Sequence, residues 1–143
     1  MARSWAVPAD LYARPAVLSL NHRAFRLYAT LWSNSKRTWS GLYPYDVNDM
    51  NAATYLRGTE LLFALGELET AQLVSVDYKL GLVFVVDAFD VQPQADSQLH
   101  RAAQDVLRYA KSPLAAQFVK RYPAVRAHLA ALADDWRARV GVK

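Results

Sequence analysis

A change of apolar period between residues 46 and 89 constrains this chain more than any other feature. Up to Ala71 the apolar residues recur at helical spacing, and from Leu73 they crowd into two short runs of the kind that pair as strands. Asp46 or Asn48 offers an N-cap ahead of a helix over 47–56, and Gly58 offers a tight turn into a second helix over 59–71. Leu61, Leu62, Leu65, Leu68 and Ala71 predict the anchored face of that second helix. Leu73, Val74 and Val76 open a strand whose partner is 82–86, with 77–81 as a turn in which Gly81 supplies a positive φ.

The flanks extend this pattern. Leu20, Ala24, Leu27, Tyr28 and Leu31 mark one face of an earlier helix, capped by Ser19 or Asn21 and ended by the polar stretch 33–37. Residues 41–45 read as a short extended segment that Pro44 confines to an edge or a strand end. The order of elements predicts an α+β fold with a winged helix-turn-helix core at residues 18–92 and a C-terminal helical extension. Residues 1–17 read as an irregular arm, because Pro8 and Pro15 prevent a long helix. Residues 93–143 form the extension, with 93–96 as its linker. Leu99, Ala103, Val106 and Ala110 give its first stripe, and Ser112 with Pro113 opens a short helix through Val119. Pro123 opens the last helix, with Val125, Leu129, Leu132, Trp136 and Val140 on one face.

Composition removes several classes of function. With 53% hydrophobic and 21% charged residues the chain reads as a folded globular protein. No apolar run approaches the roughly 20 residues that span a bilayer. Pro8, Asp10, Arg14 and Pro15 leave no room for a signal-peptide core. The absence of cysteine excludes disulfides, thiolate metal sites and cysteine nucleophiles, and suggests a reducing, cytoplasmic location. His22, His100 and His128 each stand alone in the sequence without metal-ligand spacing. The acid pairs Asp46 with Asp49, Asp87 with Asp90, and Asp134 with Asp135 are explained by capping and solvated surface. Five glycines form no phosphate-cradling loop. No enzyme, metal or cofactor is therefore expected.

The net charge of +4 conceals an asymmetry. Residues 1–45 hold six Lys/Arg against Asp10 alone, residues 46–96 hold two against nine acids, and residues 97–143 hold nine against three. The basic ends suit a polyanion or the acidic face of a protein, while the acidic middle suits neither DNA nor RNA.

Several segments together resemble the amino-terminal winged-helix domain of phage replication-initiation proteins, the replisome organisers. They are the basic start Met1-Ala2-Arg3-Ser4, the helix Arg23-Ala24-Phe25-Arg26-Leu27-Tyr28-Ala29-Thr30-Leu31-Trp32, and Ala64-Leu65-Gly66-Glu67-Leu68-Glu69 ahead of Leu73-Val74. Tyr78 at the wing, Phe89 and Gln92 in the place of an aromatic-then-Gln signature, and Ser112-Pro113-Leu114 complete the match. Gln72 departs from it, standing where that family usually has a glycine. The resemblance implies double-stranded DNA binding in replication initiation or its regulation.

On that reading Arg57 and Thr59 start the reading helix, Lys79 tips the wing, and Arg23, Arg26, Lys36 and Arg37 add phosphate contacts. Glu60, Glu67 and Glu69 on the same helix stand against it. The rival expectation is a phage or mobile-element inhibitor that binds a host protein machine, such as RNA polymerase or a nucleic-acid-guided nuclease. Its anchors would be Trp5, Trp39, Tyr43 and Tyr45, which fall in irregular segments. A homodimer seamed by the last helix is a third.

Overall fold

In a computed structural model, Trp5, residues 7–91 and residues 95–142 are described. The arm holds a 3-10 turn at Leu11–Ala13 and a single helical turn, α1 (Pro15–Leu18), started by proline at its first position. It is not an idle appendage, since Leu11 and Val17 are buried in the first core. Asn21 caps α2 (His22–Ser33) by accepting the Ala24 N–H at 2.9 Å, and Ala24, Leu27, Tyr28, Leu31 and Trp32 form its buried face. Strand β1 (Leu42–Pro44) follows.

Asp46, rather than Asn48, caps α3 (Val47–Thr54), its Oδ1 accepting Asn48 N–H at 2.8 Å and Asp49 N–H at 3.2 Å. Helix α4 (Thr59–Thr70), strands β2 (Val74–Asp77) and β3 (Leu82–Val85), and a 3-10 turn at Ala88–Val91 complete the first half.

The three strands form an antiparallel sheet in the order β1-β3-β2. Pro44 therefore sits on an edge strand, opposite Leu82, as its missing N–H requires. Alternation along the strands divides the core in two. Tyr43, Val74, Val83 and Val85 face α2, α3 and α4, while Leu42, Leu82 and Phe84 face the C-terminal helices. All four residues of β3 are buried because both sheet faces are covered. Gly41 joins this sheet at φ +79°, where an added Cβ would lie 2.8 Å from Ala88 Cβ and 2.9 Å from the Val85 carbonyl oxygen. Only glycine fits there.

The extension packs as α5 (Asp96–Arg108), α6 (Pro113–Arg121), a 3-10 turn at Pro123–Val125, α7 (Arg126–Leu132) and α8 (Trp136–Val140). Asp96, expected in the linker, is the first residue of α5, and the expected linker residues Pro93 and Gln94 lie outside the described residues, as does Gln92. Ser112 caps α6 by accepting the Leu114 N–H at 3.2 Å. The single long last helix expected from Pro123 is broken. Ala133 is extended, at φ −155° and ψ 122°, so α8 turns back onto α5, α6 and α7. Val125, Leu129, Trp136 and Val140 reach the second core by that turn, and Leu132 is left at the surface. Phe84, Phe89, Phe118 and Tyr122 interlock there with centroid spacings of 4.9 to 5.7 Å.

Candidate interaction face

Helix α4 buries Leu61, Ala64, Leu65 and Leu68 against α2 and the sheet. Its outer face carries Thr59, Leu62, Phe63 and Thr70, with Phe63 77% and Leu62 55% exposed. Leu62, assigned from spacing to the buried stripe, is thus on the wrong side of it. At 100° per residue Leu62 and Phe63 both depart from the Leu61–Leu65–Leu68 line, so the signal was present in the pattern. Tyr55, one turn before α4, is also 77% exposed. These three large apolar side chains project from the α3–α4 unit, which holds Arg57 as its one cation between residues 46 and 78.

The acids of α4 have defined partners. Glu60 pairs with Arg23 at 3.3 Å. Glu67 accepts the Asn21 backbone N–H at 2.9 Å and its side-chain amide at 2.7 Å, tying the start of α2 to α4. Glu69 accepts the Tyr78 hydroxyl at 2.6 Å, and burial together with that carboxylate pushes the Tyr78 phenol up.

Most of the cations expected at DNA are committed within the fold. Arg37 is only 2% exposed, and donates to the carbonyls of Trp32 at 2.9 Å and Ala88 at 3.1 Å. Its guanidinium lies 4.5 Å from the Trp5 ring centroid and 4.9 Å from that of Trp32. Burial lowers its pKa to about 10, so it stays charged at neutral pH while holding the end of α2 to the turn after β3. It is a core residue, buried away from any phosphate that the sequence reading would have it contact. Arg26 donates to the Thr54 carbonyl at 2.9 Å, at the C-terminus of α3 where a cation meets the helix dipole favourably. Lys36 pairs with Asp49 at 2.6 Å and Asp46 at 3.4 Å. Arg57, Thr59 and Lys79 are exposed, and no ion pair involves Arg57 or Lys79 among the described residues.

The aromatic anchors expected in the loops do not form one exposed patch. Tyr43 is fully buried, donating to the Leu31 carbonyl at 2.7 Å, which corrects its assignment as a surface anchor. Trp5 and Trp39 are half-buried and meet edge to face at 5.3 Å, with Trp5 stacked over Arg37. Tyr45 is half-buried against the first core. Trp32 and Trp136 are core, as their apolar stripes predict.

The remaining polar clusters organise the fold. Asp87 and Asp90 hold Arg121 at 2.6 and 3.2 Å, and Tyr122 donates to Val86 O. His100 and His128, far apart in sequence, meet with ring centroids 5.9 Å apart. No group of three or more His, Asp or Glu capable of holding a metal occurs among the described residues. Among those residues no helix is long and apolar enough to cross a membrane. No family model matches this chain, and no curated protein or solved structure matches it either.

Proposed function

We propose that the chain is a winged helix that works by docking a protein partner on the outer face of α4. The order α2, β1, α3, α4, β2, β3, with β3 between β1 and β2, supports the winged-helix reading. In that fold the second helix of the pair normally enters the major groove. The observation that carries the protein reading is what this helix would put there. Phe63 and Leu62 face outward, Tyr55 is exposed at the end of the preceding helix, and α4 itself holds three glutamates and no Lys or Arg. Against phosphates the outward apolar groups gain nothing, and α4 supplies no cation to pair with them. Against a protein groove the same aromatic and aliphatic groups are the kind that carry binding energy. A phage or mobile-element protein that engages a host machine would use such a face.

One observation favours DNA binding in replication initiation or its regulation as a second reading. Arg57, Thr59 and Lys79, the residues a winged helix would place at the groove and backbone, remain exposed.

Labelled random duplex DNA, followed by anisotropy at about 50 and 200 mM salt, separates the two, because phosphate-driven binding falls steeply over that range. The protein reading predicts no binding at the lower salt. It also predicts a discrete adduct from a photoreactive residue placed at Leu62 in the producing cell, abolished by Phe63→Asp, and none from one placed at Gln117. Salt-sensitive duplex binding that weakens in Arg57→Ala and Lys79→Ala would overturn it in favour of DNA.

A further inference from the structure

A cleft of about 620 Å³ opens between the β2–β3 hairpin and the end of α5. Its apolar wall comes from Pro44, Leu80, Leu82 and Leu107. Three cations converge on it from two separate helices and the loop between α5 and α6: Arg108, Lys111 and Arg139. No carboxylate lines it. Arg139 pairs with Asp135, one turn back at 3.9 Å, Arg108 is attracted to the Asp105 carboxylate one turn before it, and no salt bridge involves Lys111 among the described residues. Arg108 lies in the last turn of α5 and Arg139 in the last turn of α8, so two separate helix C-termini bring their cations to one cleft, with Lys111 from the loop between α5 and α6.

The cleft is built rather than incidental. Ser112 donates to Asp77 Oδ2 at 2.7 Å, fastening the α5–α6 junction to the hairpin. The other oxygen of Asp77 accepts the N–H groups of Lys79 and Leu80, each at 3.1 Å, and so fixes the turn that carries Leu80. Leu80 is nonetheless 48% exposed, an apolar side chain held out at the mouth of the cleft.

We infer that this cleft binds an acidic peptide segment, seating one aliphatic or aromatic side chain between Leu80 and Leu107 and its flanking carboxylates against Arg108, Lys111 and Arg139. The volume falls within the roughly 300–1,000 Å³ of small-ligand sites, which combine an apolar lining with a few placed polar groups. A nucleic-acid backbone would use the cations and leave the apolar wall in water. An acidic peptide with an apolar anchor uses both. The inference rests on the cleft alone and stands whether or not α4 docks a protein.

The test is a titration of the ¹⁵N-labelled full chain with the synthetic hexapeptide Asp-Glu-Leu-Phe-Glu-Asp, followed by amide chemical shifts. Shifts should concentrate at Leu80, Leu107, Arg108, Lys111 and Arg139. Replacing the central Leu-Phe by Ser-Ser should weaken binding about tenfold, or ~1.4 kcal/mol. Arg108→Glu with Lys111→Glu should do at least the same, as should Leu80→Asp at the exposed turn, while Lys120→Glu on the outer side of α6 changes nothing. Absence of shifts at millimolar peptide overturns the inference. So does equal binding of the Ser-Ser peptide, which would reduce the cleft to a charge patch. Shifts produced at these residues by random duplex DNA but not by the peptide would assign it to phosphate and overturn the inference as well.

Discussion

Tyr55 and Gln72 each adopt φ 61°, a left-handed conformation in which an L-residue pays about 1–2 kcal/mol. Both close helices. The Tyr55 N–H reaches Asn51 O at 2.8 Å, and after α4 the Gln72 and Leu73 N–H groups reach Glu69 O and Leu68 O at 2.9 and 3.0 Å. Glycine would close either helix without strain. At Gln72 the helix closes through a positive φ that glycine would adopt without strain. At Tyr55 the strained residue is also an exposed aromatic on the proposed docking face, which is where retained strain is most informative. Tyr55→Gly should raise stability by about 1 kcal/mol, seen as a thermal midpoint a few degrees higher. The same variant should weaken the photo-crosslink from position 62. A destabilised Tyr55→Gly would show that the ring supports the fold, and would leave Leu62 and Phe63 alone as the docking face. Arg37 makes the converse point: a cation in a polar stretch of sequence is held by two carbonyls and two indole faces inside the molecule.

Among the elements, the hairpin is held from both sides. Asp77 binds its own turn through one oxygen and Ser112 through the other, and these hydrogen bonds, that of Ser112 foremost, hold its carboxyl below the usual carboxylate range. A folded-state pKa below the unfolded 3.8 contributes stability that is present above that value and lost as pH falls through the folded one. Asp105 works in the opposite sense. Burial raises its carboxyl despite the Ser40 hydroxyl at 2.9 Å, so the native state holds this proton more tightly and loses stability as pH rises from 3.8 through the raised value. Ser112→Ala removes both an N-cap and the hairpin bond from a buried position. Its cost should be about 1–2 kcal/mol at pH 7 by urea denaturation. The cost should shrink as pH falls from 3.8 through the lowered folded-state value, where Asp77 takes up its proton and the charge-assisted share of the bond is lost. Asp77 is solvent-screened, so most of the loss should persist as the cap. A cost that grows on acidification would rule out the Asp77–Ser112 bond as its source.

Taken whole, the molecule is three layers, with α2, α3 and α4 on one side of the sheet and the extension on the other. The second face of the sheet presents Leu42, Leu82 and Phe84, and Phe118 lies 5.7 Å from Phe84 across that boundary. Residues 1–92 expressed alone would put this face in water, an apolar patch of the size that drives association. That fragment should bind a hydrophobic dye and aggregate, whereas the full chain should unfold in one transition by calorimetry. A fragment that stays monomeric and melts cooperatively would show that the extension is dispensable for the core. The layering also explains how the basic ends are arranged: Arg121 is paired with Asp87 and Asp90, Arg14 with Asp87, and Arg23 with Glu60. Much of the charge asymmetry along the chain is thus settled by pairing in space.

The sequence by itself determined the α+β class and the order of the elements from α2 to α6, because these depend on local period. The helical stripes of α2 and α5, the strand pairing about Gly81, the caps at Asn21 and Ser112, and the edge position of Pro44 are all local properties of a few residues. Tertiary structure alone decided which side chains remained available. Arg37 and Tyr43 look like surface groups in sequence and are interior, because the carbonyls of Trp32, Ala88 and Leu31 accept their hydrogen bonds there. Leu62, by contrast, is exposed for a local reason, because helical spacing already takes it off the stripe that α4 buries against α2 and the sheet. The cleft between the hairpin and α5 joins residues 44 and 139, and the meeting of His100 with His128 joins α5 to α7. Neither has a local signature, since contact between distant residues depends on how the chain folds back and not on what precedes or follows each one.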